Sequence, residues 1–73
     1  MQLETIIDHL AVVERHVAEG YGRIHKQRDL VDRLRTEGHD IATAEGLLSE
    51  MQKVQTACIA DRDRLRGLLD RAV

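Results

Sequence analysis

The sequence predicts an all-α fold: a two-helix antiparallel hairpin with coiled-coil-like faces that dimerises into a four-helix bundle. Three observations point there. Apolar residues recur three and four apart over the first half of the chain without a register slip, as on a helix with one buried face. A single glycine-and-acid turn then interrupts the pattern, and a second helical pattern follows. The composition agrees: 33% of the residues are charged, and proline, phenylalanine and tryptophan are absent, as in long amphipathic helices rather than aromatic-rich globules.

The first helix is expected over about residues 3–37. Its seam runs Leu3, Ile6, Leu10, Val13, Val17, Gly20, Ile24, Gln27, Val31, Leu34, and only Gly20 and Gln27 are not aliphatic. Ile7, Tyr21 and Leu30 flank the seam and widen the stripe. A break at Gly20–Gly22 would give three helices instead of two. The heptad runs through both glycines, and a mid-helix glycine weakens a helix by about 1 kcal/mol without ending it. Gly20 therefore reads as a core-facing position that lets a neighbouring helix approach, opposite Cys58, and Gly22 as an outward one.

The turn is expected at residues 38–40. Gly38 can adopt the left-handed conformation that ends a helix, and Asp40 can cap the next by accepting a backbone N–H bond. Arg33 and Arg35 fall in the last turn of the first helix, where the macrodipole favours cations.

The second helix, about 41–72, has a wider face. Ala44, Met51, Cys58, Leu65 and Ala72 repeat every seven residues; Leu47, Val54, Asp61 and Leu68 lie on one side of them, Leu48, Gln55, Arg62 and Leu69 on the other. A stripe this wide wants more than one neighbour. One hairpin cannot bury both faces, and a single small domain spanning 1–73 without disulfides needs further support. A twofold dimer is the simplest arrangement, and the seam and stripe residues are its core and interface candidates.

Charge narrows the function classes. Thirteen acids against eleven Lys and Arg give a net charge of −2, without the basic excess of a nucleic-acid binder or a membrane-surface helix. The start "MQLETIIDHLAVVERH" has acids where a secretion signal needs bases, no stretch approaches a membrane span, and one cysteine makes no disulfide framework. The expectation is a cytoplasmic, non-enzymatic interaction module with no catalytic, cofactor or metal site. Its expected partner is a second copy of itself, with another helical or signalling protein as the alternative.

The sharpest chemical alternative rests on "HVAEG", which places His16 four residues before Gly20. Histidine phosphotransfer domains carry a similar His-x-x-Lys-Gly pattern, which makes a phosphorelay accessory the runner-up. Glu19 stands at the lysine position, where a carboxylate would repel phosphate. The sequence reading instead puts His16 on the flank of the seam, near Asp61 of the second helix. Sensor-kinase dimerisation domains are also helical hairpins, but their phospho-accepting histidine is typically followed by an acid. Here only His39 is, and it lies in the turn.

Other chemistry is weaker still. No histidine pair has the four-residue spacing that would gather metal ligands on one helix face. Cys58 reads as a small buried hydrophobe, and no paired base marks it as a nucleophile. Gln27 can set register by pairing with a partner such as Gln55. Arg23, Lys26, Arg28, Arg33 and Arg35 could form a strip for RNA, as in a small plasmid-copy-control hairpin protein. Asp29, Asp32 and Glu37 interleave, and pairs such as Arg28–Asp32 and Asp29–Arg33 would neutralise it.

The run "HVAEGYGRIHKQRDLVDRLRTEGHD", followed by "AEGLL" and "DRDRL", resembles a group of short uncharacterised helical proteins frequent in rhizobia-like alphaproteobacteria. The shared pattern is His-Val-x-x-Gly, Ile-x-x-Gln-Arg, Leu-x-x-x-Gly-His-Asp and a Leu-Leu pair, over most of residues 15–69. Tyr21 stands where a charged residue would be expected. The resemblance implies a small cytoplasmic protein and brings no established activity.

Overall fold

The computed structural model describes residues 2–73 and is the expected hairpin: α1 spans Leu3–Thr36 and α2 spans Ala42–Ala72. The helices run antiparallel as a rod with Cα extents of 54 × 14 × 13 Å. α1 passes without interruption through Gly20 and Gly22, so the three-helix alternative falls. Packing of the continuous seam outweighs the glycines' low propensity.

The turn forms as its residues dictate. Gly38 takes φ 79°, open to glycine at little steric cost. Its N–H donates to the Arg35 carbonyl at 3.1 Å and the His39 N–H to the Leu34 carbonyl at 2.9 Å, which is a Schellman termination. The Asp40 carboxylate then accepts from the Ala42 N–H at 2.9 Å, satisfying a donor at the start of α2 from one residue outside the cap position, which Ile41 occupies instead of Asp40.

The shared core is thin. Ile6, Val17, Ile24 and Val31 of α1 and Leu65 of α2 are its buried apolar residues. Leu10, Val13, Leu34, Leu48, Met51, Cys58, Leu68 and Leu69 are half-buried around them. Three other core or interface candidates lie open in the single hairpin: Leu3 is 40% exposed, Leu47 50% and Val54 62%.

Two glutamines complete the interior. Gln27 is buried, and its Nε2 donates to the Ala44 carbonyl at 3.0 Å. Gln55 is buried, and its Nε2 donates to the Val17 carbonyl at 2.8 Å. The expected Gln27–Gln55 pair does not form. Gln27 lies eleven residues before Gly38 and Gln55 seventeen after it, an offset of about 9 Å along the helices at 1.5 Å per residue. Each amide reaches the opposite backbone instead.

Those contacts also decide which flank of α2 faces α1. The row containing Gln55 and Arg62 turns inward, and the row containing Leu47 and Val54 turns out. The inner row is the more polar of the two. Arg62 manages this position by laying its stem in the seam, with 23% of its side chain exposed, and sending its guanidinium to Asp63 at 3.1 Å.

Candidate interaction surface

The two long sides of the hairpin differ in chemistry. One side is tied by ion pairs between the helices. Arg66 donates to Glu14 through Nη2 at 2.8 Å and Nε at 3.2 Å, and Arg35 approaches Glu45 at 3.7 Å. Tyr21 lies on this side, 55% exposed, in a shallow depression with Glu14, Arg62 and Arg66. All three α1 residues that mark it, Glu14, Tyr21 and Arg35, share one heptad position immediately beside the seam.

On the other side no ion pair joins the helices among the described residues, and an open groove of about 470 Å³ runs between them. The α1 wall is polar: His16, Glu19 and Arg23. The α2 wall is largely apolar: Leu47, Met51, Val54 and Cys58, with Glu50 at its rim. The charges here are already matched within their own helices. Arg23 donates to Glu19 at 3.1 Å, Lys53 to Glu50 at 3.2 Å and Arg64 to Asp61 at 3.0 Å.

Gly20 lines the same groove, and its position is filled from across the interface. A Cβ at Gly20 would stand 2.9 Å from the Gln55 amide carbon and collide with its Oε1. Cys58 lines the same groove as Gly20, partly buried, while the atoms nearest Gly20 across the interface belong to Gln55. The spacing about the turn brings Gln55 and Cys58 both near the level of Gly20. Gly20 lies eighteen residues before Gly38 and Gln55 seventeen after it, so an antiparallel hairpin brings them level.

The other candidates separate. His16 is exposed in the groove and forms no pair with Asp61, whose carboxylate is held by Arg64 on its own helix. The i,i+3 geometry of a helix brings those two side chains together more readily than a contact across the hairpin. Cys58 and His16 share the groove, but no hydrogen bond joins them. Among the described residues, no group of three His, Cys, Asp or Glu is placed to hold a metal ion, and no helix is long and apolar enough to cross a membrane.

The acids of the basic strip approach partners other than those expected. Asp32 meets Arg35 at 3.5 Å rather than Arg28, and Asp29 meets His25 at 3.6 Å rather than Arg33. Exposed side chains on one face have several partners within a turn. Compared with protein families, curated proteins and solved structures, the chain matches none.

Proposed function

We propose that this chain is a non-enzymatic helical interaction module that acts by self-association, two hairpins pairing about a twofold axis as a four-helix bundle. The observation that carries the reading is the surface left over. The hairpin exposes 5318 Å². A folded monomer of 8.3 kDa would expose about 4,600 Å² by the usual mass scaling. The excess of roughly 700 Å² is close to the ~800 Å² that each partner gives up in a standard interface.

The thin core supports the same reading. Among the described residues five buried aliphatic ones are few for a domain with a single cysteine to stand on alone. Pairing turns a slender rod into a stouter body and shields the exposed part of α2.

The phosphotransfer reading gains no such support. The space beside Gly20 that a docking receiver domain would need holds the Gln55 amide.

Sedimentation equilibrium at micromolar concentration tests the proposal. A dimer mass is expected, with a thermal midpoint that rises with protein concentration. A well-folded monomer with a concentration-independent midpoint overturns it.

A further inference from the structure

We propose that the second copy docks on the groove side, α2 antiparallel to α2 of the partner subunit, the two grooves face to face and Leu47 of one chain against Cys58 of the partner subunit. This rests on the self-association reading and specifies its surface.

The choice of side follows from what each side already contains. The Glu14–Arg66 and Arg35–Glu45 pairs tie one side of the hairpin. The α2 row behind them is Glu45, Gln52, Ile59 and Arg66, mostly polar. The groove side carries Leu47, Val54 and Leu68, with Asp61 the one charged member of the row. Leu47 and Val54 are half or more exposed. Burying them yields the apolar gain that drives association, and the surplus surface matches the area one interface takes from each partner.

The choice of helix follows from the two groove walls. The α1 wall presents His16, Glu19 and Arg23, with the last two paired to each other. The α2 wall presents Leu47, Met51, Val54 and Cys58. Apolar surface is best covered by apolar surface, so α2 meets α2 while the α1 residues form the polar rim.

Direction and register follow from charge and symmetry. A parallel α2 pair about a twofold sets every residue beside its own copy, Asp61 against Asp61 of the partner subunit and Glu50 against Glu50 of the partner subunit, and like charges in close approach cost energy. The antiparallel pair separates them. Centring one groove on the other brings together the two ends of the apolar α2 wall, Leu47 and Cys58.

The lone native thiol makes this testable by oxidation of the full chain with oxidised glutathione. Cys58 and its copy would be offset by about 16 Å at 1.5 Å per residue, beyond the ~7 Å Cα separation that a disulfide tolerates. Leu47→Cys should therefore shift to a covalent dimer on a non-reducing gel, through the introduced thiol and Cys58 of the partner subunit. Wild type and Leu47→Cys/Cys58→Ser should stay unlinked. Circular dichroism of each variant establishes that the helices persist, and Leu47 is exposed enough for the change to be tolerated.

In sedimentation, Val54→Glu should lose the dimer and Tyr21→Glu, on the opposite side, should keep it. Linking of wild type or of the double variant as fast as Leu47→Cys overturns the antiparallel register. A dimer that survives Val54→Glu, or in which Leu47→Cys fails to link, overturns the choice of face while leaving self-association standing. A monomeric wild type overturns both.

Discussion

Gln55 packs its carboxamide over Gly20: a Cβ at position 20 would stand 2.9 Å from the amide carbon, while the amide Nε2 donates to the Val17 carbonyl at 2.8 Å. Gly20 is thus space for a side chain of the opposite helix. Gly20→Ala gains about 1 kcal/mol of helix propensity. It also displaces a buried amide, at a cost of about 1–3 kcal/mol if the amide is left unsatisfied. A net loss of about 1 kcal/mol is expected by that balance. In a Gln55→Ala background the clash is gone, so Gly20→Ala should become stabilising. A double-mutant cycle by urea denaturation at fixed protein concentration checks this. Equal effects of Gly20→Ala in both backgrounds would show that the two residues are not coupled.

Gly22 supplies the contrast. Nothing lies within 4 Å of the position its Cβ would take. Gly22→Ala should raise stability by about 0.8–1 kcal/mol, the full propensity difference. A smaller gain, or a loss, measured by the same denaturation would mean that the outer face of α1 is engaged.

The buried amides of Gln27 and Gln55 are expected to buy register more than stability. The Val17 and Ala44 carbonyls lie within helices, and each receives the glutamine as an extra donor. Replacing both glutamines with leucine therefore leaves no buried group unpaired and adds apolar burial. The double variant should match or exceed wild type in thermal midpoint while losing a unique helix alignment. Amide NMR spectra with broadened or duplicated resonances would show that loss, and a single sharp set would contradict it.

The turn allows a test independent of packing. Gly38 sits at φ 79°, where any other L-residue bears a steric cost of about 1–2 kcal/mol. Gly38→Ala should destabilise by about that amount, and Gly38→Asn by less. Asp40→Ala, which removes the bond to the Ala42 N–H, should cost about 0.5–2 kcal/mol. A neutral outcome in thermal unfolding for both Gly38→Ala and Asp40→Ala would mean that the turn contributes little to the fold.

The interhelical ion pair should matter less. Glu14 and Arg66 keep 43% and 52% of their side chains exposed, so solvent screens them. Glu14→Gln is expected to cost about 0.2–1 kcal/mol, less at high salt. Thermal unfolding at low and high salt measures this. A larger loss that salt leaves unchanged would point to packing by the Glu14 stem.

The hairpin was legible in the sequence because its signals agree. The seam from Leu3 to Leu34 fixed one face of α1, and Gly38 with Asp40 fixed the turn. The facing of α2 was not legible. Leu47, Val54 and Leu68 make the more apolar flank and would be chosen for the inside by hydropathy alone. The hairpin instead turns Gln55 inward, because its amide finds both a carbonyl at Val17 and the space left by Gly20. Binary patterning registers apolar area and misses shape and hydrogen-bond supply. The same blindness produced the expected Gln27–Gln55 contact, which fails once distances are counted outward from the turn: Gln27 lies eleven residues before Gly38 and Gln55 seventeen after it.

The brevity of the Schellman turn has a kinetic consequence. Only the residues from Glu37 to Ile41 separate the two helices, so loop closure costs little entropy. Pairing can begin there and spread outward, one heptad layer at a time. The Leu3–Ala72 end, farthest from that nucleus, closes last and frays first. Amide protection should therefore fall steadily from the turn toward the termini, and any second-order phase in refolding belongs to the meeting of two chains rather than to the closing of one.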